Sequence, residues 1–136
     1  MDSGASDHIT GDAEKMSVRE KYGCHDQVHA ANGSGMKISN IGHASLHTPV
    51  RNLFLRNILH VPSAHKSLAS VHRLALDNNV YFEFHPNFFL IKNRATMKVL
   101  HRGRCEGGLN PLGLDAAGAG GRNKLVFGVS KPSTHR

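Results

Sequence analysis

The chain starts MDSGASDHITGD, and Asp2-Ser3-Gly4 is the stretch whose residue types and order best suit a chemical task. Two carboxylates about 3 Å apart cannot both ionise, so they share one proton. One then takes a proton from water while its protonated partner polarises a scissile carbonyl. A tight loop delivers each carboxylate: the hydroxyl after the Asp braces the loop, and the Gly lets backbone approach backbone. Asp2, Ser3 and Gly4 supply these parts once.

The other half has to come from elsewhere. Asp7, Asp12, Asp26, Asp77 and Asp115 are followed by His, Ala, Gln, Asn and Ala, so no second Asp-Ser-Gly or Asp-Thr-Gly exists in the chain. A dyad therefore requires a symmetric homodimer.

The elements that must position such a loop read mostly as strands. Val28 to Ile41 alternates around Asn32-Gly33-Ser34-Gly35, the pattern of a β-hairpin and a candidate flap. Arg51 to Pro62 predicts one or two strands stopped by Pro62. Leu68, Val71, Leu74 and Ala75 recur at helical spacing, so Ser67 to Leu76 is predicted as a short amphipathic helix, the only substantial one, covering one end of the core. Period two returns at Val80, Phe82 and Phe84. A turn at His85-Pro86-Asn87 leads into Phe88 to Lys92, with Met97 to Leu100 as hairpin partner. The apolar run Phe88 to Ile91 must divide between a core and another surface.

Composition bounds the class. With 136 residues, 39% hydrophobic and 20% charged, one domain is expected. No apolar run approaches a membrane span, and the first 20 residues lack the order of a secretory signal, so a soluble cytoplasmic product without membrane contact is expected. Cys24 and Cys105 are then expected as thiols.

The net charge of +7 is uneven. Residues 1 to 90 hold 8 Lys or Arg and 8 Asp or Glu, whereas residues 91 to 136 hold 9 basic and 2 acidic residues. A nucleic-acid contact is one reading of Lys92, Arg94, Lys98, Arg102 and Arg104. A charged strand edge is the preferred one, because no aromatic interleaving is visible in that run.

Eleven histidines raise a metal reading through Cys24-His25 with His29, or His43 with His47. These fall in loops or strands without a completing Cys pair, so neither metal nor cofactor is expected.

The wider pattern resembles the protease region of copia-type LTR-retrotransposon Pol polyproteins. Four stretches carry the resemblance in order: DSGASDHITGD, NGSGMKISNIGHASL, NILHVPSAHKSLASVHRLALDNN and FEFHPNFFLIKNRATMKVLHRGRCEGGLNPL. It implies an all-β fold, a small antiparallel β-barrel of the retroviral acid-protease type with one short helix. It also implies Asp2 as the catalytic carboxylate, Ser3 and Gly4 as its supporting loop, and the Gag-Pol polyprotein as substrate. His8 and Thr10 match the motif's far end without an evident role. In the family an apolar strand runs into this Asp, and here only Met1 precedes it. The expectation is a fragment with the fold and little or no proteolysis. A non-catalytic barrel or interaction module is the alternative, and a basic nucleic-acid-binding domain ranks third. The barrel is expected over residues 1–112. From Gly113 the composition changes, with 5 Gly in 24 residues, and residues 113–136 are expected as a flexible basic tail with at most one short strand.

Overall fold

Alternation at period two becomes strand wherever one side of the chain can reach a shared core. The structure is a computed structural model that describes residues 7–12, 16, 18–21, 27–29, 35–105, 110–115 and 124–129. In chain order these residues form β1 (Ile9–Thr10), β2 (Val18–Lys21), β3 (Gln27–His29), β4 (Gly35–Lys37), β5 (Asn40–Leu46) and β6 (Leu53–His60). There follow β7 (Leu68–Ala69), α1 (Val71–Asn78), β8 (Val80–Phe84), β9 (Phe88–Asn93), β10 (Val99–Arg104), β11 (Asn110–Asp115) and β12 (Lys124–Val129).

The main sheet has the order β11-β12-β7-β1-β6-β5-β2. It curls until β11 meets β5, with Asp115 opposite Ser45. A second sheet, β10-β9-β8, is antiparallel throughout, and β3 pairs with β4 alone. The fold is all-β, a small curled barrel with one short helix among the described residues. Two pairings in the main sheet, β1 with β6 and β12 with β7, run parallel.

Inward residues of both larger sheets and of α1 share one core. Leu53, Leu55, Ile58, Leu74, Phe89, Ile91, Leu112, Phe127 and Val129 have no solvent exposure. Each such side chain contributes roughly 1.5–3 kcal/mol relative to exposure. The run Phe88 to Ile91 splits by alternation: Phe89 and Ile91 point into this core, while Phe88 and Leu90 are half-buried on the other face.

A bulge explains the irregular apolar spacing of β6, which is one strand rather than two. Gly42 faces Ile58 and Ala44 faces Leu55, so Arg56 and Asn57 together oppose His43. Asn57 takes a left-handed φ of 58° there, which re-phases the strand so that Leu55 and Ile58, three apart, both face inward.

The helix starts later than its periodicity predicts. Leu68 and Ala69 form β7, because Ile9 on one side and Gly128 and Val129 on the other offer backbone partners that the helix cannot. Ser70 is the N-cap, its Oγ accepting from the Arg73 N–H at 3.1 Å. Asn79, in the left-handed conformation, ends α1 after Asn78. Asn78 is buried and fastens this end to β6: its Oδ1 accepts from the Phe54 N–H at 2.8 Å, and its Nδ2 donates to the Phe54 carbonyl at 2.9 Å.

The composition break at Gly113 is not where the sheet ends. β11 runs through it, and β12 is seated between β11 and β7 with Phe127 and Val129 fully buried. The one short strand allowed for in the expected tail is a core strand over residues 124–129, because Phe127 and Val129 have only the barrel interior to bury against.

Candidate functional site

The described part of the opening motif is Asp7 to Asp12, and it is held from both sides. Ile9 and Thr10 lie between β6 and β7. The Leu59 N–H donates to the His8 carbonyl and the Val61 N–H to that of Thr10, each at 2.8 Å. Gly11 follows at a close approach: a Cβ there would collide with the Ala64 backbone carbonyl. This glycine is needed for space rather than for an unusual φ.

His8 and Thr10, which the sequence leaves without a role, carry the side-chain contacts. Both are fully buried. The Thr10 hydroxyl lies 2.7 Å from Ser67 Oγ and accepts from the Asp12 N–H at 3.1 Å. His8 Nδ1 accepts from the Ser70 N–H at 2.8 Å. That bond leaves the ring proton on Nε2, which is buried with no partner among the described residues. Burial, helped by the nearby Arg73 charge and opposed by Asp77, lowers the His8 pKa to about 4. The imidazole is thus neutral at pH 7 and serves as a structural acceptor. Arg73, one turn into α1, also binds Asp7 Oδ1 at 3.2 Å.

Asp2, Ser3 and Gly4 lie outside the described residues, as do Asn32, Gly33 and Ser34 of the candidate flap. Gly35 is the first residue of β4, where it faces His29, with Met36 opposite Val28, so strands flank the predicted turn. Among the described residues no three His, Cys, Asp or Glu side chains gather as a metal-binding set. No helix of the described residues is long and apolar enough to cross a membrane. A shallow groove of about 810 Å³ lies at the opposite end of α1, lined by residues such as Arg51, Phe54, Arg56, Asn79 and Thr96. It is separate from the motif's anchor at the start of the helix.

Residues 1–81 match the family model described as the Pol polyprotein, beta-barrel domain. The chain belongs to that family. This Pol β-barrel domain is also similar to the retrovirus-related Pol polyprotein from transposon RE1 of Arabidopsis thaliana, with 44% identity over 104 residues, covering 76% of the chain and 7% of that relative. For the retrovirus-related Pol polyprotein from transposon RE2 of the same plant, identity is 42% over the same shares. The Pol β-barrel domain thus spans about 7% of the length of the curated relatives it matches. No solved structure matches it. The family match runs through Tyr81, the second residue of β8, and so includes the whole of β1, β6, β7 and α1 around His8.

Proposed function

We propose that this chain is one half of an aspartic endopeptidase of the copia-type retrotransposon kind. In this reading Asp2 from each of two copies forms the proton-sharing dyad, and the substrate is a Gag-Pol polyprotein. The observation that carries the reading is the anchoring of the motif's downstream end. His8, Ile9 and Thr10 are bolted into the barrel by backbone bonds to Leu59 and Val61 and by side-chain bonds to Ser67 and Ser70. A catalytic loop needs such an anchor, because misplacing a catalytic group by about 1 Å costs on the order of a hundredfold in rate.

A single chain holds one Asp-Ser-Gly and is silent by itself. Ser3 and Gly4 brace the loop, and the hairpin flanking Asn32 to Gly35 closes over an extended peptide. The test is cleavage of a Gag-Pol junction peptide by the purified chain at mildly acidic pH. Pepstatin-sensitive cleavage that disappears in Asp2→Asn supports the reading. No cleavage at concentrations where the chain is dimeric overturns it and leaves a non-catalytic barrel that acts by binding.

A further inference from the structure

We propose that the outer face of the β8-β9-β10 sheet binds single-stranded nucleic acid. The cross-strand register places Tyr81 beside Lys92, Leu90 beside Arg102 and Phe88 beside Arg104, all on one side of the sheet. The other side carries Phe82, Phe84, Phe89 and Ile91, packed into or against the core. The outer face thus sets aromatic and aliphatic groups among cations, with Glu83 opposite Leu90 on the same side. This is the interleaving that the linear sequence conceals, because β8 supplies Tyr81, β9 supplies Phe88 and β10 supplies the arginines.

The cations are laid on rings rather than splayed from an edge. The Arg102 guanidinium carbon is 4.1 Å from the Phe88 ring centroid, and the His85 ring stacks on Phe88 at 4.4 Å. Lys92 Nζ lies 6.0 Å from the Tyr81 ring. Arg102 itself is exposed, so its planar group offers a stacking surface for a base while its charge faces a phosphate.

Charge on this sheet is predominantly positive. Residues 80 to 105 hold five Lys or Arg against one acid, Glu83. Glu83 is already occupied, by Lys92 at 2.8 Å and His85 at 2.6 Å. An anionic partner therefore meets little repulsion.

Two other readings fit less well. Charges that only guard a sheet edge belong on β10, yet the stack is centred on Phe88 of β9, the middle strand. An acidic peptide would use the cations and leave the ring stack and the exposed Val99 without a partner, whereas bases use both. A rigid duplex presents its phosphates and keeps its base faces covered, so single strands are favoured.

The test is fluorescence anisotropy of a labelled oligouridine 20-mer with the full chain at 50 to 300 mM KCl. Binding is expected at 50 mM, weakening with a log–log salt slope of about −2, as neutralising roughly three phosphates of a single strand requires. Arg102→Gln with Arg104→Gln is expected to weaken binding about tenfold and to flatten the slope by about 1.4. Arg102→Lys keeps the slope and still loses affinity, because the planar stack is gone. Amide shift changes in the wild-type chain are expected at Phe88, Leu90 and Arg102 and not along β5 or β6, which gives a readout independent of any variant. The proposal is overturned by absence of binding at 50 mM, by salt-independent binding, by an unchanged double variant, or by shift changes confined to other strands. It is equally overturned if oligoglutamate or a duplex displaces the label at a lower concentration than unlabelled oligouridine does.

Discussion

His8 Nδ1 accepts the Ser70 amide hydrogen at 2.8 Å, so the histidine of the opening motif and the N-cap of α1, 62 residues apart, form one unit. Ser70 therefore works twice. Its backbone N–H holds His8 while its hydroxyl caps the helix through Arg73, and Arg73 returns to the motif through Asp7.

This unit makes stability depend on pH in a definite direction. The folded His8 pKa is about 4, against 6.5 for an ordinary histidine. Between those values the unfolded chain binds a proton that the folded chain refuses, so stability is fully present above pH 6.5 and is lost as pH falls towards 4. The whole effect is about 3 kcal/mol. His101, lowered by burial, acts in the same direction. Urea midpoints measured at pH 7, 5.5 and 4.5 are expected to fall steadily. His8→Asn, which keeps an acceptor near the Nδ1 position and does not titrate, is expected to fall less steeply.

Gly11 gives a sharper steric test. A Cβ at this position meets the Ala64 carbonyl, a backbone atom that cannot rotate away. Gly11→Ala is expected to destabilise the chain by about 3 kcal/mol, through displacement of β1 from β6. Gly113, where a Cβ meets nothing, is the control: Gly113→Ala should stay within about 0.5 kcal/mol of wild type by urea unfolding.

The last strand has its own pair of substitutions. Phe127 is fully buried and its neighbour Val126 is half exposed. Phe127→Ala is expected to cost about 3–5 kcal/mol and Val126→Ala about 0.5 or less, measured as thermal or urea unfolding. Equal small effects would return residues 124–129 to the status of a tail.

Local patterns were legible in the sequence and distant pairings were not. The alternation from Val80 to Phe84 and the turn at His85-Pro86-Asn87 specify β8 and β9 almost unaided, because a hairpin is a contact between neighbours. The start of α1 is not legible in the sequence, because Leu68 continues the helical spacing of Val71, Leu74 and Ala75. What decides it is the pairing of Leu68 and Ala69 with β1 and β12, from opposite ends of the chain. Composition allowed one short strand after Gly113 without showing that it is buried, because Phe127 and Val129 find their core only through β7 and β11.

The candidate site divides in the same way. Asp2-Ser3-Gly4 suggests its chemistry only together with the matching stretches that follow it, and it lies outside the described residues. The functions of His8 and Thr10 rest on partners near residue 70, and no spacing within the motif indicates them.

The central claim, a half-site completed by a second copy, is tested most directly by the initial rate of pepstatin-sensitive junction-peptide cleavage against chain concentration. With Asp2 contributed by each of two chains, the rate below the dimer dissociation constant is expected to rise with about the square of concentration, and adding excess Asp2→Asn chain should suppress it. A rate strictly linear in concentration and indifferent to the Asp2→Asn chain would contradict the claim.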